Sequence, residues 1–203
     1  MRHTLRQLLK SPLYTALAVG ALALGIGANT VLFSAINTLF LRPLPYPQPD
    51  KLVRVWGSFP DRGLEQATLS WPRYEAFREQ QQAFSDLAAH SFTGFILTGR
   101  GEPELFPAGR ATERFFPTLG VQAQLGRTFN AAESAPGGPN VVVVSHAFWQ
   151  SKLGGRSTLP GESLTLNGAP YTIIGVLPAS FGFPFNRQQL WAPRPLDQEG
   201  VTA

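Results

Sequence analysis

The chain has 203 residues and no cysteine, which excludes thiolate metal sites, thiol nucleophiles and stabilisation by disulfides. Its net charge of +4 is concentrated at the start: Arg2, Arg6 and Lys10 supply three of the four charges, and beyond them 14 basic side chains face 13 acidic ones. A domain that grips phosphate backbones is basic on its own account, so nucleic-acid binding is set aside.

In the leader (residues 1–12), Arg2, Arg6 and Lys10 share one helical face and Leu5, Leu8 and Leu9 another. This suits a short helix in the headgroup layer or, more simply, a basic cap that sets topology. No charge then occurs between Lys10 and Arg42, and Leu13 to Leu41 is a run of 29 residues. As a helix this run is roughly 43 Å long, more than the about 30 Å of a bilayer core, so a tilted or projecting transmembrane helix is expected. Ser11 and Pro12 fit its N-cap and first turn. The alternating prolines of Arg42-Pro43-Leu44-Pro45-Tyr46-Pro47 end it. A cleaved signal peptide has a much shorter apolar region. The flanking charges favour an N-terminus in the cytoplasm and a domain 42–203 outside it.

The span also carries residues suited to helix packing. Ala16 and Gly20, Ala21 and Gly25, and Ala23 and Gly27 are small pairs four apart, which let backbones approach closely. Thr30, Ser34 and Asn37 follow at i, i+4, i+7, and Asn29 lies deep in the run. Polar side chains at that depth face protein rather than lipid. The packing candidates are therefore Ala16, Gly20, Gly25, Gly27, Asn29, Thr30, Ser34 and Asn37.

Beyond the span, Leu52 to Trp56 alternates as a strand does, and Ser70-Trp71-Pro72 opens a helix whose Tyr74, Phe77, Phe84 and Leu87 share a face. Ser91 to Thr98 and Leu105 to Ala111 read as strands around the turn Gly99-Arg100-Gly101. Residues 113–118 form a short helical turn ended by Gly120, and Asn130 to Asn140 reads as loop. Val141 to Val144 is a buried strand, followed by a helix capped by Ser145 and running through Leu153. Ser163 to Leu166 and Tyr171 to Val176 flank Asn167-Gly168, a strong hairpin signal. Pro178 to Pro195 reads as extended and irregular. The expected class is α+β with mostly antiparallel strands.

No constellation of catalytic residues emerges. His3, His90 and His146 lack ligand spacing and read as surface or cap residues. Ser145-His146 lacks the glycines of a nucleophile elbow. Glu102 and Glu104 sit in a glycine-rich turn and read as solvated, and Gly154-Gly155 lacks the other residues of a phosphate loop. No catalytic, cofactor-binding or metal-binding residue is assigned.

The order of landmarks is more specific than any one of them. It runs Leu8-Leu9-Lys10-Ser11-Pro12, then Ala23-Leu24-Gly25-Ile26-Gly27-Ala28-Asn29-Thr30, Leu41-Arg42-Pro43-Leu44-Pro45-Tyr46, Phe115-Phe116-Pro117-Thr118-Leu119-Gly120-Val121 and Leu125-Gly126-Arg127-Thr128-Phe129. It closes with Val141-Val142-Val143-Val144-Ser145, Phe148-Trp149 and Leu166-Asn167-Gly168-Ala169-Pro170-Tyr171-Thr172-Ile173-Ile174-Gly175-Val176-Leu177-Pro178. This resembles the N-terminal half of MacB-type ABC transporter permeases, most closely the acidobacterial duplicated orphan permeases. The resemblance implies one membrane helix before a periplasmic core domain, with a porter-like βαβ module interrupted by a Sabre-like insert at roughly 113–176. It also implies a non-catalytic subunit that carries ATP-driven motion outward for efflux or export. Its partners would be an ABC ATPase on another chain, a second permease subunit and often a periplasmic adaptor. Family members carry three more helices, so a truncated reading frame is expected. The alternative is a stand-alone anchored interaction or sensing module.

Overall fold

The computed structural model describes residues 12–36, 46–183 and 187–194, in two units that divide after Leu44. The first holds helix α1, Pro12–Ile36. Its 25 residues extend about 37 Å. Alanine and leucine favour the helix, and the length of the run carries its several glycines. Residues 1–11 of the leader, and Asn37 with the rest of the expected span to Leu41, lie outside the described residues.

The second unit starts with a small hairpin, β1 (Gly57–Phe59) and β2 (Leu64–Ala67), and helix α2 (Trp71–Gln80). The expected strand Leu52–Trp56 does not form: alternation needs a partner strand, and here Val53 is 65% and Trp56 38% exposed. Pairing begins only at Gly57. Helix α2 begins where expected, after Ser70 with Pro72 in its first turn, but ends at Gln80. Phe84 lies past its end and still packs on Phe77, with ring centroids 6.2 Å apart.

The main sheet is built from β3 (His90–Thr98), β4 (Glu104–Ala111), β5 (Leu125–Gly126), β6 (Val141–Val144), β7 (Ser163–Leu166), β8 (Ala169–Val176) and β9 (Leu190–Pro193). Their order is β5-β8-β6-β9-β4-β3-β7, and β7 pairs with β8 as well as with β3. The pairings therefore close into a ring, a small barrel whose inside is filled by side chains. Strands β3, β4 and β9 come from outside residues 113–176 and β5 to β8 from within, yet all share this sheet. Pairs β4–β9 and β6–β8 are parallel and the remainder antiparallel.

Alternation along the strands makes two cores. Phe95, Phe106, Val142, Val144, Leu166, Ile173 and Leu190 point one way, sealed by Phe148, Trp149 and Leu153 of helix α5 (His146–Leu153). Val141, Val143, Ile174 and Trp191 point the other way, against Phe115 and Phe116 of the short helix α3 (Phe115–Thr118), with Phe129 and Phe181. Strand β6 lies between the two cores, so all four of its valines are buried. Strand β9 is also fully buried, where the sequence suggested irregular chain. Within the expected loop 130–140 a further turn of helix occurs, α4 (Ala131–Ser134), held by a capping box between Asn130 and Glu133.

The hairpin turn forms as expected, with Asn167 at φ 50° and Gly168 at φ 79°. Asn167 also accepts the Ile96 N–H on Oδ1 at 2.8 Å and donates its own N–H to the Ile96 carbonyl at 2.9 Å. The turn thereby ties β7 and β8 to β3 and helps close the ring. Replacing Asn167 by alanine is expected to cost about 1–2 kcal/mol, by losing a hydrogen bond and forcing a methyl side chain into the left-handed region. Urea denaturation of the full chain in nanodiscs measures this, and an unchanged midpoint would refute it.

Candidate functional site

Two features of the described residues have no evident role in holding the fold. The first is the surface of α1, whose apolar stretch Leu13–Ser34 is long enough to cross a membrane and has none of its length buried. Seven of the eight packing candidates lie on α1 and are exposed; Asn37 falls outside the described residues. A Cβ placed on Gly20, Gly25 or Gly27 would meet open space. At about 3.6 residues per turn, the candidates divide. Ala16, Gly20, Gly27, Thr30 and Ser34 fall on one narrow stripe, with Ala23 between Gly20 and Gly27. Gly25 and Asn29 fall on the opposite side. Steps along the stripe alternate between four and three residues, the spacing of a helix-packing seam. Thr30 bonds its hydroxyl back to the Ile26 carbonyl at 2.8 Å, which satisfies it without a partner helix.

The second feature is a groove of about 1170 Å³ in the other unit. It runs between residues 48–88 and the adjoining ends of β3 and β4. Sequence reasoning missed it because its lining comes from many separated segments. Arg54 lies over the Trp56 ring at 3.8 Å and Arg194 over Trp71 at 4.3 Å. Arg110 lies over Phe95 at 5.4 Å and reaches the Pro193 carbonyl at 3.4 Å. Parallel pairing of β4 and β9 sets Ala111 against Pro193, which carries Arg110 and Arg194 to the same end of the sheet. Burial and the neighbouring Arg110 charge lower the pKa of Arg194.

Asp86 is the only carboxylate among the described lining residues. It is already engaged, pairing with Arg114 through both oxygens at 2.9 and 2.7 Å and accepting the Thr118 hydroxyl at 2.9 Å. Burial raises its pKa, but these hydrogen bonds and the Arg114 charge outweigh that and hold it low. No described carboxylate forms an ion pair with Lys51, Arg54, Arg110 or Arg194.

His90 is not a surface residue. Its ring sits among Phe92, Phe115 and Phe183, with centroids 5.0 to 5.4 Å away, and borders the groove. Burial, then the Arg54 charge, push its pKa down to about 4, so the ring is neutral at neutral pH. Its Nδ1 is buried without a hydrogen-bond partner among the described residues. An aromatic cage was signalled by no spacing in the sequence, because Phe183 and Phe115 reach it from distant segments. His146 opens α5, with Nδ1 3.1 Å from Gln124 Oε1. Ser145 caps that helix as expected, accepting the Phe148 N–H at 3.1 Å. Glu104 is not merely solvated: it opens β4 and pairs with Lys152 at 2.5 Å. No cluster of three metal-ligating side chains occurs among the described residues.

Among solved structures, the chain is similar to the periplasmic region of MacB from Actinobacillus actinomycetemcomitans, at 15% identity and a TM-score of 0.54, covering 73% of this chain and 66% of that one. It is also similar to the extracellular domain of the noncanonic ABC-type transporter YknZ from Gram-positive bacteria, at 19% identity and a TM-score of 0.42, covering 52% of each. The first likeness speaks to the fold of the mixed α/β domain that follows the N-terminal apolar helix. The chain spans 66% and 52% of the lengths of these two structures. No curated protein matches it. The MacB-like periplasmic core domain family matches residues 15–202, and the chain belongs to that family.

Proposed function

We propose that this chain is the N-terminal part of an ABC transporter permease subunit of the acidobacterial duplicated orphan type. Helix α1 crosses the bacterial inner membrane with its N-terminus in the cytoplasm, and residues 42–203 lie outside. The porter-like module and its insert at about 113–176 carry movement outward for efflux or export, driven by ATP on a separate ATPase chain. A second permease subunit and a periplasmic adaptor complete the assembly. The observation that carries this reading is the family match from residue 15 to residue 202, which joins an exposed apolar helix to the mixed domain in one family unit.

A reporter active only outside the cytoplasm, fused after Ala203, is expected to be active. Activity of a cytoplasm-only reporter at the same position would reverse the orientation.

The seam on α1 is the surface by which this helix packs on others. A photo-crosslinking residue at Gly27 is expected to yield protein adducts several-fold more often than one at Gly25, which faces lipid. Equal adduct yields at the two positions would remove the seam from the proposal. The absence of cysteine gives the same comparison with single-cysteine variants a clean background.

A further inference from the structure

The groove beside β3 and β4 has a chemistry that a purely mechanical domain does not require. Its described lining carries Lys51, Arg54, Arg110, Arg114 and Arg194 against Asp86 alone, and Asp86 is taken up by Arg114. Arg110 on β4 and Arg194, one residue past the end of β9, have no carboxylate between them and repel each other, an arrangement relieved by an anion shared between them. The same groove presents flat apolar surface: Trp56, Trp71 and Phe92 line it, and Phe92 is 52% exposed. A neutral imidazole, His90, lies at its border with an unpartnered ring nitrogen. Large volume, aromatic walls and a few convergent polar groups are the usual make-up of a small-molecule site.

We propose that this groove binds an amphipathic anion, a carboxylate or phosphate group joined to an aromatic or apolar body. Arg110 and Arg194 hold the anionic group, in the planar, two-pronged manner that guanidinium allows. Arg54 adds charge at the exposed side, and Trp71 and Phe92 receive the body of the ligand. The guanidinium of Arg194, already laid over Trp71, keeps charge and ring together, so a ligand is read for both properties at once. This inference does not depend on the permease reading, because it concerns the groove alone.

The test uses the full chain in phosphatidylcholine nanodiscs and isothermal titration with 2-naphthoate and 2-naphthyl phosphate. Both are expected to bind, with 2-naphthamide and inorganic phosphate each at least about tenfold weaker, since each lacks one of the two recognised features. The double variant R110Q/R194Q is expected to weaken naphthoate by at least about tenfold. R54Q, at an exposed position, is expected to weaken it several-fold without altering the thermal midpoint, and it serves if the double variant fails to fold. Naphthamide binding as tightly as naphthoate would overturn the proposal, as would inorganic phosphate binding as tightly, no binding of either aromatic anion, or unchanged affinity in R54Q and the double variant. Competition by phosphatidylglycerol added to the nanodisc identifies a lipid headgroup as the source of the anion; undiminished naphthoate binding there identifies a soluble one.

Discussion

Replacing Trp191 by alanine is expected to destabilise the periplasmic-type domain by about 3–5 kcal/mol, the range seen for removing a large aromatic side chain from a core. A domain has only about 5–15 kcal/mol in total, so much of its margin disappears. Trp191 is fully buried on β9, between β6 and β4. Phe115 stacks on it at 5.0 Å and 26°, and Phe116 and Phe181 meet it edge-on at 5.8 and 5.9 Å. On the neighbouring strand, Gly109 lies directly beneath the indole, where any Cβ would be driven into the ring. Gly109→Ala is therefore expected to cost about 1–3 kcal/mol by overpacking, and to cost almost nothing once Trp191 is already alanine. Such a non-additive pair is the signature of two residues sharing one space. Trp191→Phe is expected to cost less than Trp191→Ala, because the indole Nε1 has no hydrogen-bond partner among the described residues to lose. Urea denaturation of the full chain, followed by near-UV signal, measures all four variants. A Trp191→Ala midpoint close to the parent's, or additive behaviour of the pair, would show that this aromatic stack is not a principal support of the sheet.

The importance of Trp191 was not legible in the sequence, and the reason is physical. Strand β9 is four residues long, ends in proline and follows a run rich in breakers. Local propensity demotes such a run to edge or loop. Its place at the centre of the sheet comes from partners far away in sequence, β4 on one side and β6 on the other. Where a signal was local, it could be read. Four consecutive valines gave β6, Asn167-Gly168 gave the hairpin, and Ser145 gave the cap of α5. The α4 turn carries a local signal too: Asn130 followed three residues later by Glu133 is a capping pattern, and the breakers Pro136, Gly137, Gly138 and Pro139 hold the helix to a single turn. The same distinction governs the candidate sites. The small and polar residues of α1 are regularly spaced within one element, so the sequence exposed most of them. It did not separate the stripe through Gly20 and Gly27 from Gly25 and Asn29 behind it. The groove is composed from residues 48 to 194, and Arg110 meets Arg194 there because β4 and β9 run parallel in register.

Removal of the Arg127 side chain is expected to cost about 2–3 kcal/mol and to change how the domain responds to acid. Arg127 holds Glu133 through two hydrogen bonds, at 2.9 and 2.5 Å, and Glu133 also accepts the Asn130 N–H at 2.9 Å. The carboxylate is buried, with 5% of the side chain exposed, while the guanidinium is 52% exposed. That asymmetry places the pair below the full cost of a wholly buried one and above a surface one. Burial alone would raise the Glu133 pKa, but the hydrogen bonds from Arg127 and the Asn130 backbone, with the Arg127 charge, outweigh it and hold the pKa below the ordinary carboxylate value. A carboxylate whose pKa is lower in the folded chain binds fewer protons there than when unfolded. Its stabilisation is therefore complete above the unfolded value, about 4.3, and is lost as the pH falls through the folded value. In Arg127→Ala only the Asn130 N–H still offsets burial, so the folded pKa of Glu133 rises. The neutral-pH stability falls, and the part of the acid-induced loss that Glu133 carries shrinks, giving a shallower pH slope than the parent's. In Glu133→Gln there is no carboxylate to titrate, so the pH slope is expected to be shallower than the parent's. Some slope persists through Asp86, whose pKa is also lowered. Thermal midpoints of the full chain between neutral pH and about pH 3 distinguish these cases. An Arg127→Ala profile parallel to the parent's, or a Glu133→Gln profile just as steep, would mean that this ion pair does not couple the fold to pH.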